Sequence, residues 1–142
     1  TSAINGTGND LANNITGNSG NNALTGALGK DALTGGAGQD RFRFNTPVNG
    51  TTNVDRIMDL NVADDLILLE NAIFAALTTT GTLSAAGFRV GSAATNASHR
   101  IIYDPTNGSL YYDADGSGPI AAIRFARLAP GLALTNANFV VQ

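Results

Sequence analysis

Three features of the sequence predict an all-β fold, a parallel β-roll of nonapeptide repeats capped by a β-sandwich-like C-terminal part with a short helix. The first is a nine-residue pattern repeated in phase over residues 17–43: GNSGNNALT, GALGKDALT and GGAGQDRFR. The second is a downstream series of short runs that place apolar residues on one face, such as RFRFN at 41–45. The third is turn chemistry between such runs, clearest in PTNG at 105–108, where Pro at the second position and Gly at the fourth suit a type I turn.

Each repeat reads as a six-residue loop followed by a three-residue strand. Positions 1 and 4 are glycine (Gly17, Gly20; Gly26, Gly29; Gly35, Gly38), and Gly36 adds a position-2 glycine. Glycine permits the positive φ that a tight loop needs, so carbonyl oxygens can turn into the loop. Position 6 is Asn22, Asp31 or Asp40, and position 8 is Leu24, Leu33 or Phe42. Carbonyls and carboxylates are hard oxygen donors that suit Ca²⁺ and offer nothing to soft metals. The position-8 side chains point inward, and stacking of successive turns buries them. Two nonapeptides complete one turn, so loops on one side recur every 18 residues. A Gly/Asn-rich flexible linker is the competing reading. A linker has no reason to keep Ile15, Leu24, Leu33 and Phe42 at intervals of nine.

Upstream, GNDLANNIT (8–16) is a fourth, degraded copy, and INGTGND (4–10) reads as a further loop with Asp10 in the acidic role. Ile4 to Ile15 overruns the nine-residue spacing, which leaves Asp10 and Asn13 competing for position 6 and predicts a frayed end. Thr1 reads as a cut point in a longer chain, with an upstream domain or further repeats as a neighbour. Downstream, 48–54 is an enlarged loop in which Asp55 takes over position 6, followed by Asp59 and the pair Asp64–Asp65. Asp55, Asp59 and Asp65 are candidate ligands, with turn capping as the plain alternative. Ile57, Leu60 and 66–69 supply buried strand residues. NAIFAAL (71–77) is a plausible two-turn helix with Asn71 as N-cap. A strand or turn at 88–90, a hairpin of 100–104 with 109–113, and strands at 120–126 and 139–141 complete the chain.

The stretch 17–43 resembles the repeats-in-toxin (RTX) family, and DRFRFNTPVNGTTNVDRIMDLNVADDLILL is similar to the segment that closes such repeats in secreted bacterial exoproteins. The resemblance implies several bound Ca²⁺ ions, export through a type I secretion transporter, and an extracellular location. It also implies that ANFVVQ (137–142) carries part of the export signal, although Asn138 stands where an acidic residue is usual. The chain divides on this reading into 1–58, the calcium-binding repeats, and 59–142, a β-rich cap with the signal, the two continuous with each other. A structural or adhesive module of the same fold is the alternative function.

Composition narrows the rest. The 142 residues carry net charge −3 with 13% charged residues, and the sequence shows no basic patch, which argues against nucleic-acid partners. Zero cysteines exclude disulfides and thiolate sites, and no apolar run reaches membrane-span length. DADGSG (113–118) fails as an EF-hand, because counting twelve from Asp113 gives Arg124 instead of Glu. An Asx-stabilised turn is the simpler reading, with Asp113 and Asp115 left open as a weak ion site. Gly29–Lys30 fails as a phosphate loop, because Asp31 stands where Ser or Thr is required. The single histidine, His99, is expected on a surface loop, with no zinc or nucleophile partner. The Asp residues fall at metal-loop positions and would not serve as a hydrolytic carboxylate pair, so no enzyme activity is expected.

Overall fold

The computed structural model describes all of residues 1–142. The seven strands of the first half are β1 (Gly6–Thr7), β2 (Asn14–Thr16), β3 (Ala23–Thr25), β4 (Ala32–Thr34), β5 (Arg41–Phe44), β6 (Asp55–Ile57) and β7 (Leu66–Leu69). The loop-plus-strand unit throws successive strands alternately into two sheets: β1, β3, β5 and β7 neighbour one another in the first, and β2, β4 and β6 in the second. Every pairing among them is parallel, with Leu24 opposite Phe42, Phe42 opposite Ile67, Ile15 opposite Leu33, and Leu33 opposite Ile57. These inward side chains meet between the sheets. Leu24, Leu33, Phe42, Ile57 and Ile67 are all buried.

The first turn keeps the nine-residue phase after all. Gly6 pairs with Leu24, so Gly6 occupies position 8, nine residues before Ile15, and Ile4 is exposed. The overrun expected between Ile4 and Ile15 is absent: a glycine has replaced the apolar residue, and Ile4 was the wrong landmark. Asn5 covers the end of the ladder by accepting the Ala23 N–H through Oδ1 at 2.9 Å.

The second half adds β8 (Gly81–Thr82), β9 (Phe88–Val90), β10 (Ile101–Asp104), β11 (Ser109–Tyr112), β12 (Ile123–Arg127) and β13 (Phe139–Val141). These strands form no sheets of their own. β13 lies parallel to β7 and β8 pairs with its other edge, while β12 lies parallel to β6 and is followed by β11, β10 and β9. β13 is therefore an inner strand and not the edge strand that its terminal position suggests. The β10–β11 hairpin has the expected register, Ile101 opposite Tyr112 and Asp104 opposite Ser109. One cluster of 21 buried apolar residues runs from Leu24 to Val141. Phe74 packs edge-on against both Tyr112 and Phe125, with ring centroids 5.1 Å apart.

The helix expected at 71–77 does not form. The segment is a series of turns in which Glu70 O accepts from both Ile73 and Phe74, and Phe74 O accepts from Leu77. Seven residues are too few to sustain a helix by propensity alone, and the turns already bury Phe74 and Leu77 and pack Ile73 and Ala76 against the core. Asn71 is held instead by its N–H to Gln142 O at 2.8 Å. The only helical pieces are single 3₁₀ turns at Ala85–Gly87 and Asn136–Asn138. No helix is long and apolar enough to cross a membrane.

Candidate metal centre

The loops stack along the two edges where the chain crosses between sheets. On one edge the loop of 8–13 is followed by 26–31 and then by the enlarged loop ending at Asp55. On the other, 17–22 is followed by 35–40 and then by the loop ending at Asp65. A single bond type welds each stack: the position-6 side chain of one loop accepts the position-6 N–H of the loop before it. Asp31 Oδ1 takes the Asn13 N–H at 2.7 Å, and Asp55 Oδ1 takes the Asp31 N–H at 3.1 Å. Across the molecule Asp40 Oδ1 takes the Asn22 N–H at 2.7 Å, and Asp65 Oδ1 takes the Asp40 N–H at 2.9 Å. Asp55 and Asp65 thus continue the repeat although the spacing has lengthened to 24 and 25 residues.

The Asn and Asp loops differ in how they use the second side-chain atom. Asn13 and Asn22 close their own loops, accepting the N–H of Asn9 at 2.7 Å and of Asn18 at 2.8 Å, and their amides donate back to the Asn9 and Asn18 side chains. In the Asp31 and Asp40 loops the corresponding oxygen, Oδ2, is buried with no hydrogen-bond partner. A buried carboxylate oxygen left unpaired costs the full desolvation penalty of a charged group, so it marks a place where a partner is required. The surrounding space is lined by oxygen. A Cβ on Gly26 would run into Asp31 Oδ2 and lie 2.8 Å from Asp55 Oδ2, and one on Gly35 would run into Asp40 Oδ2. Gly29 and Gly38 show why position 4 is glycine: φ is +124° and +113°, and a Cβ would lie 2.7 Å from Leu11 O and 2.9 Å from Gly20 O, respectively. Nowhere do three acidic or histidine side chains gather. The donors these loops offer are one or two carboxylates each, hard oxygens of the kind that suits Ca²⁺.

Residues 7–42 match the family model of the RTX calcium-binding nonapeptide repeat, in four copies. This segment is an RTX calcium-binding domain. No curated protein matches the chain.

The RTX repeats therefore end in sequence at 42 but continue in geometry to Asp65. Burial first, and then the neighbouring Asp31 carboxylate, push the Asp55 carboxyl up to about 7. Asp65 is raised by burial as well, with the charges of Asp40 and Asp59 adding to it. Both shifts express one fact: the metal-free loops concentrate negative charge out of water. Asp59 plays a different part from position 6, since its two oxygens accept the N–H groups of Gly35 at 2.9 Å and Gly36 at 2.8 Å. Asp10 is exposed, and Asn13 holds position 6 in its loop. Gly17 and Gly20 border the loop that Asn22 closes.

Sequence reasoning missed Asn53. It is buried, accepts the Gly29 N–H at 3.1 Å, and donates to Thr46 Oγ1 and Pro47 O, so it braces the enlarged loop against the repeat below. Its only sequence signal is its position two residues before Asp55. His99 is buried and not on the surface: its Nδ1 accepts the Thr95 N–H at 3.1 Å, its Nε2 lies 3.2 Å from Asn96 Nδ2, and its backbone N–H donates to Asn96 Oδ1, so the residue staples the 95–99 loop. The DADGSG segment is the Asx turn, with Asp113 Oδ1 accepting from Asp115 and Gly116. The fold also contradicts the absence of a basic patch, because Lys30, Arg56, Arg124 and Arg127 line one cavity.

Proposed function

We propose that this chain is a non-catalytic calcium-binding module, a parallel β-roll continued by a β-rich cap, that folds on extracellular Ca²⁺ and carries the type I secretion signal of a larger secreted protein. One observation carries the calcium-dependent part: Asp31 Oδ2 and Asp40 Oδ2 are buried without partners, each against the first glycine of its own loop. Asp31, Asp40, Asp55 and Asp65 would hold the ions, with carbonyls of the glycine-rich positions completing the shell. Bound calcium supplies positive charge that neutralises the paired carboxylates. Without it, those carboxylates repel and the glycine-rich backbone loses much entropy on ordering, which favours an unfolded, threadable chain. Calcium binding only to the ordered loops converts binding free energy into folding free energy. Extracellular calcium modules work at dissociation constants on the order of 10⁻⁴ to 10⁻³ M, far above cytosolic calcium.

Calorimetric titration of the chain with CaCl₂, followed in parallel by far-ultraviolet circular dichroism, tests the calcium reading. Heat of binding and a gain of β signal should saturate together at millimolar calcium. Full β signal in chelator, unchanged by calcium, would refute coupled folding. Export is tested separately by deleting Phe139–Gln142: a signal role predicts retention inside the cell. Normal export of the truncated chain would move the signal upstream.

A further inference from the structure

The chain has eight Lys and Arg residues, and four of them line a single cavity of about 190 Å³. Lys30 comes from an RTX loop, Arg56 from β6, and Arg124 and Arg127 from β12; all four side chains are exposed. Arg56 and Arg127 are direct partners across the β6–β12 ladder, the arrangement in which like charges oppose pairing. Nothing in the chain relieves them. The one salt bridge joins Arg43 and Glu70 in the other sheet, and the only acidic residue lining the cavity, Asp55, is buried and already accepts the Asp31 N–H. Arg127 is also held in place, since its Nε donates to Asn107 O at 3.2 Å, leaving the rest of its guanidinium fork unused.

A chain of net charge −3 has acids to spare for neutralising this cluster, yet places beside it only the buried Asp55. We propose that the Lys30–Arg56–Arg124–Arg127 cavity is an anion site that takes a phosphate or sulfate group. Guanidinium forks match tetrahedral oxyanions bidentately, and three of them with an ammonium can surround one such group from two strands and a loop. The cavity has room for more than a bare oxyanion, and Val54 supplies an apolar wall beside it. That suits an oxyanion borne on a sugar. The proposal stands on charge placement and does not depend on whether the loops bind calcium.

The test is titration of the whole chain, folded in CaCl₂ at fixed ionic strength set by NaCl, with sodium sulfate and separately with glucose 6-phosphate. Binding is read by amide chemical shifts. Both probes should saturate, with shifts centred on Val54–Arg56 and Ile123–Arg127. Tighter binding of the sugar ester assigns the site to an anionic glycan, and equal binding assigns it to the free anion. R124Q/R127Q should weaken binding at least tenfold, while R41Q, on the opposite sheet, should leave it unchanged. Should the double variant fail to fold, K30Q, on an exposed loop side chain, should weaken binding by a smaller factor. The proposal is overturned if sulfate shifts nothing beyond what chloride does, or if R41Q weakens binding as much as K30Q.

Discussion

Replacing Asp31 with Asn should have opposite effects with and without calcium. The substitution is isosteric, and Asn Oδ1 can still accept the Asn13 N–H. What changes is the charge at Oδ2, which is buried and unpaired. That oxygen and Asp55 Oδ2 both lie less than 3 Å from the point a Gly26 Cβ would occupy, so they cannot be more than 6 Å apart. At that separation and an effective dielectric of 20, two carboxylates repel by about 3 kcal/mol. In chelator at pH 8, D31N should therefore stabilise the folded chain by roughly 1–3 kcal/mol, raising the melting temperature by about 3–10 °C. In saturating calcium the same change removes a charged ligand and should lower it. Thermal unfolding followed by circular dichroism in both buffers reads the sign directly. A loss of stability in both would refute the reasoning, because Asp31 would then be an ordinary hydrogen-bond acceptor.

Converting Asn22 to Asp adds a carboxylate to the cleft it shares with Asp40, and calorimetry should show tighter calcium binding than in the parent chain. Acidity should act in the opposite sense to calcium. The Asp55 carboxyl is raised from 3.8 to about 7, so the metal-free fold holds a proton that the unfolded chain releases. Its stability is then fully present below pH 4 and is lost as pH rises through about 7, with Asp65 acting in the same direction. Urea melts in chelator at pH 5 and pH 8 should show the lower-pH form as more stable, and the order should reverse in calcium. Ala27 sits at φ +73°, a conformation costly for a residue with a Cβ. Ala27→Gly should stabilise the chain by about 0.5 kcal/mol, the strain relieved slightly exceeding the added unfolded-state entropy. Phe74→Ala should cost about 3–5 kcal/mol with or without calcium, since this ring is fully buried away from the loops.

The nine-residue period made the repeat half legible, because a fixed phase of glycine, Asp or Asn, and an apolar residue dictates both loop and strand. It placed Leu24, Leu33 and Phe42 in the core and Asp31 and Asp40 at the candidate site. Legibility fell where spacing broke. Asp55 was legible as position 6 of the enlarged loop, but Asp65, 25 residues after its partner, shows the same role only through the hydrogen-bonded ladder. Gly6 was misread because a glycine carries no apolar signal at position 8. The helix at 71–77 failed because local propensity in seven residues yields to tertiary packing. His99 was misplaced because polarity says nothing about a side chain that satisfies its own loop. The basic cavity was invisible for a topological reason: Lys30, Arg56 and Arg124 are far apart in sequence until β12 returns to pair with β6.

The central claim is that the loop stacks depend on calcium while the strands added by the second half rely on their apolar core. Residue-resolved hydrogen exchange in calcium and in chelator tests it most directly. The position-6 amides of Asn13, Asn22, Asp31 and Asp40 donate to the side chains of the stack, whereas Ile101, Ile102 and Phe125 are themselves buried strand residues. Chelation should release the four loop amides by orders of magnitude and leave these three buried residues as the slowest to exchange. Equal protection of the loop amides in both buffers would contradict the account.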